Sequence, residues 1–338
     1  MTAGNSLAVM GDGRADQALR DAVSSFEAAF PGRVRGYYVE GSRADRTGVT
    51  SSDLDLTIVF RDRFIDEAER ARARSVAASC AGRSPVELDV VFLDEASLAG
   101  GADPLFKLAS RFVHGEDIRG AVPLLPIEAW TRDRMHAAYW LLVRALDRPP
   151  VVRPPLGYPE PGAPFGGYDR RMVRLPDGRI VPSTRNLIRV AGWLGTALVA
   201  LRARQYVVRK RDCHLMYGAW IGDEWAPLLE EIYVVCRGAW GCLIPEADEE
   251  RRRLGGICER MLAFENHFLG HYRRFLLSEL RGTNQGHVRR AVWLLEQIPL
   301  LDRDVVKTLR ELEHGSDEGL RRAAHATLAC YQSVDPAG

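Results

Sequence analysis

The chain has 338 residues, of which 46% are hydrophobic and 27% are charged, so its composition is that of a globular protein with room for two domains. Its 46 basic and 45 acidic residues give a net charge of +1, which excludes a global electrostatic attraction to nucleic acid or to an anionic membrane. No apolar run approaches the roughly 20 residues that cross a bilayer, and residues 1–14 lack the pattern of a signal peptide. The six cysteines form no Cys-x-x-Cys pair. We therefore expect a cytoplasmic protein with reduced thiols and neither a membrane nor a nucleic-acid partner.

The first 125 residues are predicted to form a small mixed sheet with helices packed on it. Apolar periodicity of 3.6 residues indicates helices, and alternation of apolar and polar residues indicates strands. The predicted elements are a helix at 15–30, strands at 34–39 and 54–60, a helix at 64–81, a strand at 86–93 and a short helix at 105–113 that closes at His114-Gly115. This order is typical of an α+β fold.

Residues 126–182 are predicted to connect this domain to a helical one. A helix at 127–146 is followed by a stretch that holds nine of the 18 prolines, so the stretch is neither regular helix nor a central strand. It is either a linker or an ordered loop over a cleft. The remainder is predicted to be all α, with a helical domain at 183–282 and a helical tail at 283–338 that could bind a protein partner. The helices are predicted at 185–206 with Ser183 as N-cap, then at 212–220, 224–240, 246–280, 288–297, 302–313 and 318–331.

The segment 41–55 carries the strongest functional pattern in the chain. Gly41 and Ser42 follow one predicted strand, and Asp53 and Asp55 open the next. Alternate residues of a strand share a face, so these two carboxylates repel each other unless a cation lies between them. Glycine lets the backbone approach phosphate oxygens, and the Ser42 amide and hydroxyl can donate hydrogen bonds to them. The pattern predicts Mg²⁺ and chemistry on a nucleotide.

A third carboxylate is predicted on the following strand, 86–93. Asp89 lies near its middle, and Glu87 is a competing carboxylate on the same face. We prefer Asp89, which is deeper in the apolar run. Such a triad can hold two Mg²⁺ ions about 3.5–4 Å apart, one on the triphosphate and one on the acceptor hydroxyl. Asp89 would ligate the second ion or accept the proton of that hydroxyl as general base.

These residues resemble the nucleotidyltransferase superfamily that includes DNA polymerase beta and the antibiotic nucleotidyltransferases. The resemblance is carried by Gly41-Ser42, Asp53-Leu54-Asp55-Leu56 and Leu88-Asp89-Val90-Val91. Within the superfamily the chain is most similar to bacterial aminoglycoside adenylyltransferases of the streptomycin/spectinomycin type. Arg185-Asn186-Leu187-Ile188 and the stretch 224–229 support this similarity. The resemblance covers residues 15–280 and implies a catalytic sheet domain followed by a helical domain, with ATP and drug bound between them.

The resemblance also implies an activity and roles for particular residues. It implies Mg²⁺-dependent transfer of a nucleoside monophosphate, AMP from ATP, to a hydroxyl of a small molecule such as an aminoglycoside, and hence antibiotic resistance. Asp53 and Asp55 would be metal ligands, and Asp89 would be the general base as well as a ligand. Phosphate would be held by Gly41-Ser42-Arg43 and, from the helical domain, by Lys210.

The acceptor stays open at this stage. Ser183 stands where the resemblance would place a drug-facing acid, and the segment 149–182 and the tail after 280 have no counterpart in the family pattern. The acceptor could also be a protein side chain, a tRNA end or a biosynthetic intermediate, or the chain could bind nucleotide without catalysis. Other acids that might hold a cationic drug are predicted to be solvated surface residues: Glu116, Asp117, Asp169, Asp223, Glu224 and Glu265.

Two further clusters have alternative interpretations. The first consists of Arg202, Arg204, Arg209, Lys210 and Arg211. It is either an exposed helix end, where the helix dipole favours cations, or a clamp on the triphosphate. The second consists of His267 and His271, which lie four residues apart on a helix, where two imidazoles can bind a metal ion. No third ligand accompanies them, so they are predicted to be partly buried core residues.

Overall fold

The structure, a computed structural model, describes residues 11–45, 53–175 and 177–334, with side chains described up to Tyr331. The chain divides into two compact units. The first contains the described part of Met1–Trp130 together with Arg174–Arg179 and Tyr206–Asp212, and the remaining described residues form the second. The predicted α+β fold class is confirmed, since a small mixed sheet in the N-terminal part is followed by a helical region.

The first unit is built on a four-stranded sheet. Its elements are helix α1 (Gly13–Ala29), strand β1 (Val34–Glu40), helix α2 (Gly41–Ala44), strand β2 (Leu54–Phe60), helix α3 (Glu67–Arg83), strand β3 (Leu88–Asp94), helix α4 (Glu95–Leu98), a π-helical segment (Leu105–Ala109) and strand β4 (Arg111–Gly115). The strand order is β3-β2-β1-β4. β2 is parallel to β3 and antiparallel to β1, and β1 is antiparallel to β4, so the sheet is mixed as predicted.

The two faces of this sheet are covered differently. On one face Leu54, Leu56 and Ile58 of β2 are fully buried in a core formed with residues of α1 and α3. On the other face a smaller apolar cluster contains Val59, near the end of β2, and Phe106. Alternation along β2 therefore directs Asp55 and Thr57 to the second face, beside the apolar cover at Val59. The N-terminal end of β2 is therefore polar on the second face of the sheet.

The predicted helix at 105–113 is wrong in its second half. The helical segment ends at Ala109, and Arg111–Gly115 is a strand in which Phe112 pairs with Tyr38 of β1. Val113 is buried in the core on the first face of the sheet. Pairing with a distant strand thus overrides the local helical periodicity, and such a partner cannot be read from the segment itself.

The second unit is helical apart from a two-stranded hairpin; the first four residues of α5 and the hairpin turn Arg174–Arg179 are assigned to the first unit. Its elements are helix α5 (Ile127–Arg144), strands β5 (Arg171–Arg174) and β6 (Ile180–Ser183), helix α6 (Arg185–Leu198) with a π-helical continuation (Val199–Ala203), helices α7 (Cys213–Trp220) and α8 (Ala226–Glu231), a π-helical segment (Ile232–Ala239), and helices α9 (Asp248–Leu280), α10 (Gln285–Gln297), α11 (Arg303–Glu313) and α12 (Glu318–Val334). Among the described residues no helix combines the length and the apolar character that a membrane span requires.

The ends of α6 differ from the prediction. Ser183 is not the N-cap, because it ends β6 and its hydroxyl donates to the Arg171 carbonyl at 2.6 Å, while Thr184 takes the cap position. The helical stretch ends at Ala203 instead of residue 206, since Arg204 adopts a left-handed conformation with φ 54°. Because the helix ends early, the segment Tyr206–Asp212 does not continue α6 and belongs to the first unit.

The Pro/Gly-rich stretch is an ordered loop anchored on α9 instead of a linker. Arg148, at its start, donates to Glu265 of α9 at 2.6 Å, and the side chains of both residues are almost completely buried. Asn266 accepts from the Leu156 amide at 2.7 Å and donates to the Leu156 carbonyl at 3.1 Å, as a neighbouring strand would. The prediction that Glu265 is a surface acid is therefore wrong.

We expect Glu265→Ala to destabilise the second unit by about 3–5 kcal/mol, because it leaves the Arg148 guanidinium buried without its counter-charge. Thermal unfolding followed by circular dichroism measures the effect. Glu318→Gln is the matched control, since the Glu318–Arg322 pair is a solvent-exposed i,i+4 pair and its loss should cost at most about 0.5 kcal/mol. Equal melting temperatures for Glu265→Ala and the wild type would show that this ion pair does not anchor the loop.

Candidate functional site

Three carboxylates converge at the polar end of the sheet. In the parallel pairing of β2 with β3, Asp55 lies directly opposite Asp89, and Asp53 immediately precedes β2 on the same side. One oxygen from each of Asp53, Asp55 and Asp89 lies within 4.8 Å of the other two. Asp53 and Asp55 are half-buried, whereas Asp89 is exposed. Within the described ranges, this is the one group of three or more acidic, histidine or cysteine side chains with such spacing.

The donor set fits a hard divalent cation. Mg²⁺ prefers carboxylate oxygens at about 2.0–2.1 Å, so oxygens in one octahedral shell are about 3–4.2 Å apart. The observed limit of 4.8 Å needs only small side-chain rotations to reach that range. Glu87 does not belong to the group; it precedes β3, and its carbonyl accepts from the Leu54 amide at 2.8 Å. Of the two acids considered from the sequence, the strand register thus places Asp89, and not Glu87, beside Asp53 and Asp55.

Gly41 makes room for one of these carboxylates. It begins α2 with φ +70°, a conformation that glycine adopts at little cost, and a Cβ added there would overlap Oδ2 of Asp55. Ser42 follows it and is half-buried. A side chain at residue 41 would thus displace Asp55 from its observed place. The glycine has a steric role at the triad in addition to the phosphate contact that the sequence predicts.

Arg43 braces the backbone at Asp53. Its side chain is buried, and its Nε donates to the Asp53 carbonyl at 3.0 Å. Its guanidinium also pairs with Asp12, the N-cap of α1, at 2.6 Å, and this hydrogen bond lowers the pKa of Asp12. The sequence predicts that Arg43 holds phosphate. The contacts tie its guanidinium to the first helix and to the segment that carries Asp53, and its contact with phosphate stays a prediction.

Glu40 is a fourth acidic residue at the site, and the sequence analysis missed it. It ends β1, pairs in register with Asp55, and accepts from the Thr57 hydroxyl at 2.8 Å. Burial raises the pKa of Glu40 to about 7, although the Thr57 hydrogen bond and the positive charge of Lys210 act in the opposite direction. The available signal was alternation along β1, which puts Glu40 on the same face as Tyr38 and thus on the face of Asp55.

We expect Glu40→Gln to stabilise the metal-free protein increasingly as the pH rises from 5 to 8. Glu40 has a pKa raised in the folded state, so its contribution to stability is complete below its unfolded pKa and is lost as the pH rises through about 7. Glutamine resembles the protonated form and avoids this loss, which is roughly 3 kcal/mol at pH 8. Melting temperatures in EDTA, measured against pH, test this. A gap between variant and wild type that does not change with pH would contradict it.

The basic cluster of the sequence is divided between the two units. Arg202 and Arg204 lie in the second unit, where Arg202 pairs with Asp223 at 2.6 Å. The segment 209–211 lies in the first unit, although the sequence analysis assigned Lys210 to the helical domain. The charge of Lys210 is felt at Glu40, where it lowers the pKa, so this lysine lies near the carboxylate-bearing face.

Most of the other candidate acids are held by arginines. Ion pairs join Glu116 to Arg35 and Arg61, Asp117 to Arg119, Asp223 to Arg202, and Glu265 to Arg148.

His267 and His271 are half-buried, and their ring centroids are 4.8 Å apart. Burial lowers the pKa of both imidazoles, that of His271 to about 4. No carboxylate or thiol in the described residues completes a three-ligand group with them.

Known proteins similar to this chain are found among solved structures. No protein-family model matches the chain, and no curated protein matches it. Among solved structures, the chain is similar to a spectinomycin adenyltransferase from Enterococcus faecialis, determined with ATP and spectinomycin. The two chains are 10% identical and superpose with a TM-score of 0.44 over 74% of this chain and 98% of the other.

Proposed function

We propose that the chain is a Mg²⁺-dependent nucleotidyltransferase that transfers a nucleoside monophosphate, AMP from ATP, to a hydroxyl of a small molecule. The observation that carries this proposal is the convergence of Asp53, Asp55 and Asp89 within 4.8 Å, beside the glycine that begins α2. Three carboxylates held this close repel one another, and that repulsion is relieved when a divalent cation binds.

The three carboxylates have different roles in this proposal. Asp53 and Asp55 are half-buried, and the Arg43 side chain donates to the Asp53 carbonyl at 3.0 Å, so they are suited to fixed ligation. Asp89 is exposed, which suits a residue that ligates and also accepts the proton of the acceptor hydroxyl. Bound Mg²⁺ would neutralise charge on the phosphates and lower the pKa of the acceptor hydroxyl. With two ions, one would act on the triphosphate and the other on the acceptor hydroxyl.

The reaction is an in-line displacement at the α-phosphate. The acceptor oxygen forms a bond to the α-phosphorus, its proton passes to Asp89, and the bond to the leaving pyrophosphate breaks. Gly41 and Ser42 would hold phosphate oxygens through backbone and hydroxyl groups. Lys210 would contact the triphosphate as a point charge, since its segment lies in the first unit and its charge acts on Glu40.

The acceptor we propose is a small hydroxyl-bearing molecule of the aminoglycoside type. This part rests on the resemblance of the segments 185–188 and 224–229 to the antibiotic adenylyltransferases. Four of the six candidate acids form ion pairs with arginines: Glu116, Asp117, Asp223 and Glu265. The other two, Asp169 and Glu224, are therefore the candidates that remain for contact with a cationic drug.

Pyrophosphate release tests the proposal. The purified protein is incubated with Mg²⁺, each of four nucleoside triphosphates and a panel of aminoglycosides and other polyols, and products are identified by mass spectrometry. We expect acceptor-dependent pyrophosphate release and an acceptor heavier by one nucleoside monophosphate. Binding of nucleotide without transfer to any acceptor in the panel or in a cell lysate would indicate a nucleotide-binding protein without this activity.

A further inference from the structure

Asp45 fastens the segment 209–211 to the end of α2. It follows α2 directly, and its amide donates to the Gly41 carbonyl at 3.3 Å. Its carboxylate, only 12% exposed, lies 2.9 Å from Nε of Arg209 and 3.6 Å from Nε of Arg211. One acid therefore pairs with two arginines that flank Lys210 in the sequence. None of the sequence patterns discussed above assigns a function to this acid.

The two ion pairs restrict where Lys210 can lie. Arg209 and Arg211 are held on the same carboxylate, so the short backbone stretch between them has little freedom to move away from α2. The charge of Lys210 acts on Glu40, the residue immediately before Gly41. Lys210 thus lies close to the stretch of chain proposed to hold phosphate.

The charges in this segment support the same conclusion. Three adjacent cations repel one another, and each could be drawn to the carboxylates of the triad. Asp45 offsets Arg209 at 2.9 Å and Arg211 at 3.6 Å, with Asp212 also 3.5 Å from Arg211, whereas the charge of Lys210 acts on Glu40. A cation held in advance loses less conformational entropy when the triphosphate binds, and the affinity rises accordingly.

We propose that Asp45 is a positioning residue, which holds Arg209 and Arg211 so that Lys210 meets the triphosphate of the bound nucleotide. This inference rests on the proposed nucleotidyltransferase function. It predicts that loss of the Asp45 charge weakens nucleotide binding through Lys210 and leaves cation binding at the triad intact.

The experiment is a double-mutant cycle on nucleotide affinity. Isothermal titration calorimetry with MgATP, without acceptor, is applied to the wild type, Asp45→Asn, Lys210→Gln and the double variant. We expect the Kd to rise about tenfold for Asp45→Asn and for Lys210→Gln, and hardly further for the double variant, because both changes remove the same interaction. Asp45→Glu, which keeps the charge, should recover part of the affinity. Mn²⁺ binding without nucleotide should be unchanged in Asp45→Asn.

Controls separate this role from a structural one. Asp117→Asn removes an acid that pairs with an arginine in the same unit, and it should leave the Kd for MgATP unchanged. Should Asp45→Asn fail to fold, Arg209→Gln breaks the same pair from its more exposed side and should also raise the Kd. Wild-type affinity in the folded Asp45 or Arg209 variant, or additive losses in the cycle, would overturn the inference alone. A wild type that binds no MgATP would overturn it together with the proposed function.

Discussion

Asp53→Asn and Asp55→Asn are each expected to reduce nucleotidyl transfer at least about 1,000-fold, which corresponds to about 4 kcal/mol of transition-state stabilisation. Asparagine keeps the size of the side chain but removes a negative charge from the group whose oxygens lie within 4.8 Å of one another. The melting temperature in EDTA should stay the same or rise, because the change also removes repulsion between the carboxylates. Initial rates of pyrophosphate release and thermal unfolding measure the two effects.

Asp66→Asn is the control for these variants. Asp66 is the N-cap of α3, where its side chain accepts from the Glu69 amide at 2.8 Å, and asparagine serves equally well at that position. This variant should keep the wild-type rate. A wild-type rate in a folded Asp53 or Asp55 variant would show that the substituted residue takes no part in the reaction, and it would contradict the proposed triad.

Gly41→Ala is expected to lower the transfer rate at least about 100-fold while the protein still folds. The new Cβ would overlap Oδ2 of Asp55, and the positive φ of residue 41 adds backbone strain of about 1–2 kcal/mol. The carboxylate must then rotate away from Asp53 and Asp89, so the effect on the rate should exceed the effect on stability. Initial rates and the free energy of unfolding, measured on the same samples, test this.

Gly82→Ala is the matched control for that substitution. Gly82 lies in the last turn of α3, and a Cβ there would meet nothing within 4 Å. Alanine should keep the transfer rate and stabilise the helix by about 0.5–1 kcal/mol. If Gly41→Ala and Gly82→Ala had the same rate, the contact between residue 41 and Asp55 would have no bearing on the chemistry.

Local patterns in the sequence were sufficient to predict the central strands and the acids on them. Strand β2 has the predicted bounds, because the apolar residues of 54–60 follow the strand period; as a central strand it is buried at every residue except Asp55. That Asp53 and Asp55 share a side follows from this alternation alone. The position of Asp89 beside them required the parallel pairing of β2 with β3, which the sequence could only assume.

Features that depend on distant parts of the chain were missed. Strand β4 owes its conformation to pairing with β1, and Arg43 owes its orientation to Asp12, 31 residues earlier. The raised pKa of Glu40 comes from burial in the folded sheet. The placement of Lys210 in the first unit follows from a left-handed residue, Arg204, that ends the helical stretch early. None of these has a signal within a short window of sequence.

The most direct test of the central claim is a titration of Mn²⁺ followed by electron paramagnetic resonance, which detects the free ion. Mn²⁺ accepts the same oxygen ligands as Mg²⁺. Without nucleotide, the wild type should bind one or two Mn²⁺ ions per chain, and a variant with Asp53→Asn, Asp55→Asn and Asp89→Asn should leave them free. Equal Mn²⁺ binding by wild type and triple variant, both folded, would contradict the assignment of these three carboxylates as the cation site.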